Sequence, residues 1–150
     1  MIRLGLHAKL YRNTGSYVSP SWNEVSNVKD LTLNLESGEA DVTTRGNAGW
    51  RATVGTLKDA SVEFQMLWDA ADEDFTAVQN AFLTNLPIEC AIMSGPMNDS
   101  ESKGLRAFFA VLKFTRSEAL EEAIQAEVTM KPTVEGSPPI PPQWISGSGS

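Results

Sequence analysis

The side chains able to do chemistry are few and scattered. His7 is the only histidine, and it falls in a strand-like stretch with neither a cysteine nor a second histidine near it. A metal site needs several N, S or O ligands converging on one point, so His7 reads as a polar residue on a strand face. Cys90 is the only cysteine. It sits in the apolar run Ile88 to Met93 with no positive field to generate a thiolate, and a buried, inert thiol fits better than a nucleophile. Serines and aspartates are plentiful, yet no spacing gathers them with the histidine. No acid/base pair or metal cluster stands out, so the expectation is a protein without catalysis, metal or cofactor.

One stretch remains, Arg45-Gly46-Asn47-Ala48-Gly49-Trp50-Arg51. Its glycines and cations invite a phosphate-loop reading, but the Gly-Lys-Ser/Thr ending is missing and no helix follows to aim its N-terminus at an anion. A plain turn in a flexible loop is one alternative. The other, favoured here, is that the glycines bend the chain and present Trp50, Arg45 and Arg51 to a protein partner, because Trp and Arg concentrate at interface hot spots.

The elements around this stretch are easier to read. Upstream, Val28 to Leu35 places Leu31, Leu33 and Leu35 on alternate residues; downstream, Val62, Phe64, Met66 and Trp68 alternate with Ser61, Glu63 and Gln65. Both are strands with one apolar face. Between them, 36–56 has no sustained apolar period, which predicts a long loop that binds something. Asp72 is an N-cap candidate for a helix over about 73–85, with Glu73 and Asp74 in its first turn and Phe75, Val78, Phe82 and Leu86 on one face, ended by Pro87.

Further strands are expected at Leu6 to Arg12, at Ile88 to Met93, at Leu105 to Phe114 and at Glu122 to Met130, with a brief strand or lead-in at Trp22 to Val25. Leu105 to Phe114 is apolar on both alternating sets and is expected to be covered on both faces. From Pro132 the composition changes to a Pro-rich and then Gly/Ser-rich end, read as a flexible tail over 134–150. Its last residues fit native sequence and an appended linker equally well.

Composition sets limits. A chain of 150 residues with 41% hydrophobic and 21% charged residues suits one domain with its own core, here 1–133. A formal charge of −7 argues against gripping nucleic acid, which depends on Lys and Arg neutralising phosphates. One cysteine suits a reducing compartment. No stretch has the length of a signal peptide core or a membrane span, so a cytoplasmic site of synthesis without membrane insertion is expected.

Lys29-Asp30-Leu31-Thr32-Leu33-Asn34-Leu35-Glu36, then Gly38-Glu39-Ala40-Asp41-Val42-Thr43-Thr44-Arg45-Gly46-Asn47, Gly49-Trp50-Arg51-Ala52-Thr53 and Leu57-Lys58-Asp59 together resemble the tail tube (major tail) proteins of long-tailed bacteriophages. The similarity continues more loosely to about Thr133. It implies two packed antiparallel sheets with a flanking helix, in a subunit that forms six-membered rings stacked into a hollow tube for the genome. It also implies tape-measure, tail-tip or baseplate, and tail-terminator partners, with the host cytoplasm as the place of assembly and the virion tail as destination. The long loop, with Glu39, Asp41, Arg45, Gly46, Asn47, Gly49, Trp50 and Arg51, would order against a neighbouring ring or subunit.

If the sheet lines a channel, the polar faces Thr32, Asn34; Ser61, Glu63, Gln65; and Gln125, Glu127, Thr129 are candidates for its wall. They carry no Lys or Arg, so DNA would slide past without binding. The plainer reading is an ordinary solvated surface. Two other functions compete: a tube subunit of a contractile injection or secretion device, and a monomeric β-sandwich module whose loop grips a ligand.

Overall fold

The computed structural model describes residues 8–117, 124–136 and 139–147. His7, the start of the first expected strand, 122–123 at the start of the last, and the closing 148–150 lie outside the described residues. The elements run β1 (Lys9–Asn13), β2 (Trp22–Glu24), β3 (Val28–Asp41), β4 (Thr53–Leu67), α1 (Glu73–Thr84), β5 (Ile88–Met93), β6 (Lys103–Ser117), β7 (Gln125–Thr133) and β8 (Gln143–Ser146). All pairings are antiparallel.

Two packed sheets were expected, but the described strands form one hydrogen-bonded sheet, ordered β2-β1-β5-β6-β7-β4-β3, with β8 added to β6. The sheet curls into a half-barrel, bringing β1 into contact with β3. One core therefore takes Leu10, Cys90 and Ile92 from one side of the sheet and Val62, Phe64, Met66, Val128 and Met130 from the other. Curling lets a single layer bury an apolar face that a flat sheet would need a second layer to cover.

The helix seals this core. Asp72 accepts a hydrogen bond from the Asp74 N–H at 3.0 Å, and Asn85 closes the other end in the left-handed conformation, φ 59°. Phe75 is fully buried, and its ring meets Trp68 at 4.8 Å and Phe114 at 5.7 Å between centroids. The apolar face is Phe75, Val78 and Ala81 with Phe82 packed beside them, while Leu86 is 64% exposed. Leu86 follows the capping residue, and the reversal of backbone hand carries it off the helical face.

β6 departs from its expected cover. Leu105, Ala107, Phe109 and Val111 are buried, but Leu112 is 57% exposed. A bulge between Val111 and Lys113 shifts the alternation, so Phe114 turns to the core side and Lys113 to the other. Such an extra residue reverses which set faces inward. The strand covered on both faces is instead β5, whose Ala91 and Met93 join Tyr11 in a second small cluster with Trp22, Met97 and Ile145. Gly104 permits the β5–β6 approach, since a Cβ there would fall 1.7 Å from the Ile92 carbonyl oxygen.

The tail is not free. Gln143–Ser146 pairs with Lys103–Arg106, Ile145 covers the second cluster, and the Gly147 N–H donates to the Ser102 carbonyl at 2.7 Å. β7 leaves β6 at Phe108, which exposes the backbone groups that β8 then satisfies.

Candidate functional site

The stretch 36–56, expected as a loop, is in strands over about half its length. The β3–β4 ladder continues past Leu35↔Ala60 to Asp41↔Thr53, leaving only 42–52 as a connection. Residues 35–41 and 53–59 are exposed throughout, so the ribbon projects from the body, its two strands joined by backbone bonds and its foot touched by Lys131, 3.9 Å from Asp59. No apolar alternation is required for that, and none is present.

The connection is itself built. Its Val42 N–H donates to the Ala52 carbonyl at 2.9 Å, and the Ala52 N–H returns to the Thr43 hydroxyl at 2.9 Å. Asp41 accepts from both the hydroxyl and the N–H of Thr43, which holds its carboxyl below the usual carboxylate range. A single 3-10 turn, Arg45–Asn47, follows, and Ala48 and Gly49 take positive φ of 52° and 85° to reverse the chain. The Trp50 N–H closes the turn on the Asn47 carbonyl at 3.0 Å.

Trp50 ends 79% exposed. Among the described residues its ring stacks on nothing, and the side chains of Arg45 and Arg51 make no ion pair. Of the loop candidates, Arg45, Gly46, Asn47, Gly49, Trp50 and Arg51 lie together in this tip. Glu39 and Asp41 lie on β3 below it, and Asp41 is taken up with Thr43.

The second candidate set shares one face. Register aligns Thr32, Glu63 and Thr129 across β3, β4 and β7, sets Gln65 beside Glu127, and sets Asn34 beside Ser61, whose hydroxyl accepts from Asn34 at 3.3 Å. Gln125 completes the row at the end of β7. Their strand neighbours Val62, Phe64, Met66, Ala126, Val128 and Met130 are all buried, so this face lies opposite the core.

Sequence reasoning missed that cations join it. Lys113 aligns with Thr129 and contacts Glu127 at 3.6 Å; Lys131 contacts Asp59 at 3.9 Å; Lys29 aligns with Gln65. The face nonetheless stays net acidic, with Asp30, Glu36, Asp59, Glu63 and Glu127 against these three lysines. The bulge that turns Lys113 outward has no signature in residue type.

Buried charge lies elsewhere. The Asp74 carboxylate accepts from Arg12 Nε at 2.7 Å and Asn23 Nδ2 at 2.8 Å. Glu89 accepts from Asn13 Nδ2 at 2.6 Å and is paired with Arg106, whose guanidinium lies 4.2 Å from the Tyr17 ring centroid. These pairs tie β1, β2, α1, β5 and β6 together, and Arg12, Asn13 and Glu89 also line a small open cleft of about 250 Å³ with Tyr17 and Phe108. Burial pushes the Cys90 thiol up to about 12, as an inert core thiol requires. Among the described residues no group of three His, Cys, Asp or Glu could hold a metal ion.

No curated protein matches the chain in sequence. Solved structures do match in fold. A tail of an empty gene transfer agent particle, computed with C6 symmetry, superposes with a TM-score of 0.68 at 15% identity over 88% of this chain and 95% of that one. The SPP1 tail tube gives 0.69 at 13% identity over 99% and 81%. The baseplate of the anti-feeding prophage gives 0.54 at 6% identity over 93% and 91%. Residues 10–137 match the sequence profile of a family described as phage tail tube protein. Spanning most of the chain, from β1 to just beyond β7, that match makes this protein a member of the phage tail tube family.

Proposed function

We propose that the chain assembles into six-membered rings, that the rings stack into a tail tube, and that the polar sheet face lines the bore through which DNA passes. Ring closure needs head-to-tail contacts, and stacking continues them as an open filament. The observation that carries this reading is the projecting ribbon, a preordered arm whose Trp50, Arg45 and Arg51 make no ring contact or ion pair among the described residues. The unpaired outer edge of β3 adds a second contact, since joining sheets edge to edge removes an exposed template for aggregation. Likeness to a tail with C6 symmetry supports six subunits. Within the ring, the two flanks of the curled sheet act as the two packed layers implied by the resemblance.

The tape-measure, tail-tip or baseplate, and terminator proteins are the partners at the bore and the tube ends. Assembly takes place in the host cytoplasm and ends in the virion tail. The likeness to a prophage baseplate favours a second reading, the inner tube of a contractile injection device; a sheath gene beside this one would point to it.

Negative-stain microscopy of concentrated protein tests the proposal. Wild type forms rings or tubes, while Trp50→Ala and Arg45→Glu remain folded, with unchanged unfolding midpoints, and fail to extend them. Normal tubes from both variants overturn the role of the arm. A wild-type monomer that never assembles overturns the function and leaves a ligand-binding β module.

A further inference from the structure

At the foot of the ribbon lies a groove of about 550 Å³ lined by Leu35, Ala60, Leu105, Pro132, Pro142 and Trp144, with Glu36, Lys58 and Asp59 also on its walls. Two of its apolar side chains are left open to solvent, Leu35 at 55% and Trp144 at 58%. Its far wall depends on the tail. β7 and β8 lie end to end along β6, stopping at Phe108 and resuming at Arg106, so that Thr133 and Gln143, ten positions apart in sequence, flank a single β6 residue, Ala107. Pro142 and Trp144 are therefore carried to the groove by a segment that the sheet alone does not need.

We infer that this groove is the receptor for the ribbon tip of a second copy, with Trp50 as the inserted side chain. The inference rests on the self-assembly proposed above and names the contact that would propagate it. Within one chain the contact is not made: the groove reaches up the ribbon only to Ser37 and Lys58, and the ladder from there to Asp41 and Thr53 holds the tip about 15 Å further on. Tip and groove therefore sit apart on one ribbon, and a contact between them is heterologous, of the kind that closes a ring or runs on as a filament according to the rotation between copies.

Charge agrees. The tip offers the Arg45 and Arg51 guanidinium groups, while its one carboxylate, Asp41, is occupied by Thr43. The groove offers Glu36, which has no ion-pair partner among the described residues, and Asp59, held only by the long 3.9 Å contact to Lys131; with Lys58 on the same wall, these leave the lining one charge negative. Because the tip is already ordered, docking an indole there immobilises few new bonds, which favours affinity.

Two separate single-cysteine additions test this, Ser37→Cys in the groove and Thr44→Cys in the tip, which keeps Trp50 and both arginines, joined by a short bis-maleimide under assembly conditions. Cys90, buried with its thiol pushed up to about 12, stays unreactive. The mixture should give a crosslinked dimer that neither protein gives alone, and Trp50→Ala in the Thr44→Cys chain should reduce it at least tenfold. Tubes visible by microscopy with no mixed dimer overturn the groove while leaving the tube intact. A dimer from Thr44→Cys alone overturns it in favour of tip-to-tip contact. If wild type forms no tubes, the proposed function falls, and a mixed dimer formed nonetheless upholds the groove contact by itself.

Discussion

Asp74 shows how a single carboxylate serves two purposes. In the first turn of α1 it meets the positive end of the helix dipole, and at 4% exposure it also binds Arg12 and Asn23 from the first two strands. Removing one partner of such a buried pair leaves the other charge without compensation. Asp74→Ala is therefore expected to cost about 3 kcal/mol in urea unfolding, with Asp74→Asn costing less because it keeps an acceptor for Arg12. Equal midpoints for wild type and Asp74→Ala would show that Arg12 finds water or another acceptor. Trp50 is the contrasting residue: with its ring in solvent, its loss is expected to leave folding untouched and to appear only in assembly.

Among the elements, β8 turns a tail into part of the fold. It satisfies the free edge of β6, covers Tyr11 and Met93 through Ile145, and ends on Gly147, where a Cβ would lie 2.1 Å from the Asp99 carbonyl oxygen. Deleting residues 143–150 is expected to lower stability by about 2 kcal/mol, from a few lost backbone bonds and one partly buried isoleucine. A thermal midpoint unchanged by the deletion would mean that the strand is held too weakly to matter. The same deletion removes Trp144, so a folded truncation that no longer extends tubes would also support the groove contact.

At the scale of the whole molecule, the polar face decides what a tube could conduct. Its carboxylates outnumber its lysines, so a wall built from it would repel DNA while offering no cluster of cations to hold phosphates. Glu63→Lys combined with Glu127→Lys makes the face clearly cationic and strips Lys113 of its partner. Rings are expected to form, with genome ejection slowed several-fold at low salt and restored near 1 M, where screening acts within about 3 Å. Ejection at the wild-type rate through intact tubes of the double variant would put this face outside the bore.

The sequence by itself determined most elements of the fold. Alternating leucines, the Asp72 cap and the Phe75 and Val78 spacing are local patterns, written wherever one face of an element must be apolar. The exposure of the cluster Arg45 to Arg51 was legible for the same kind of reason, because its residue types have no use in a core. What only the tertiary structure decided is whatever the backbone arranges without help from side-chain pattern. The ribbon over 35–41 and 53–59 is exposed on both faces and paired through N–H and C=O groups that every residue carries. The bulge beside Leu112 adds one residue and turns Lys113 onto the polar face. A four-residue strand after a run of prolines is specified by the vacant edge it fills, and that edge exists only once β7 has parted from β6.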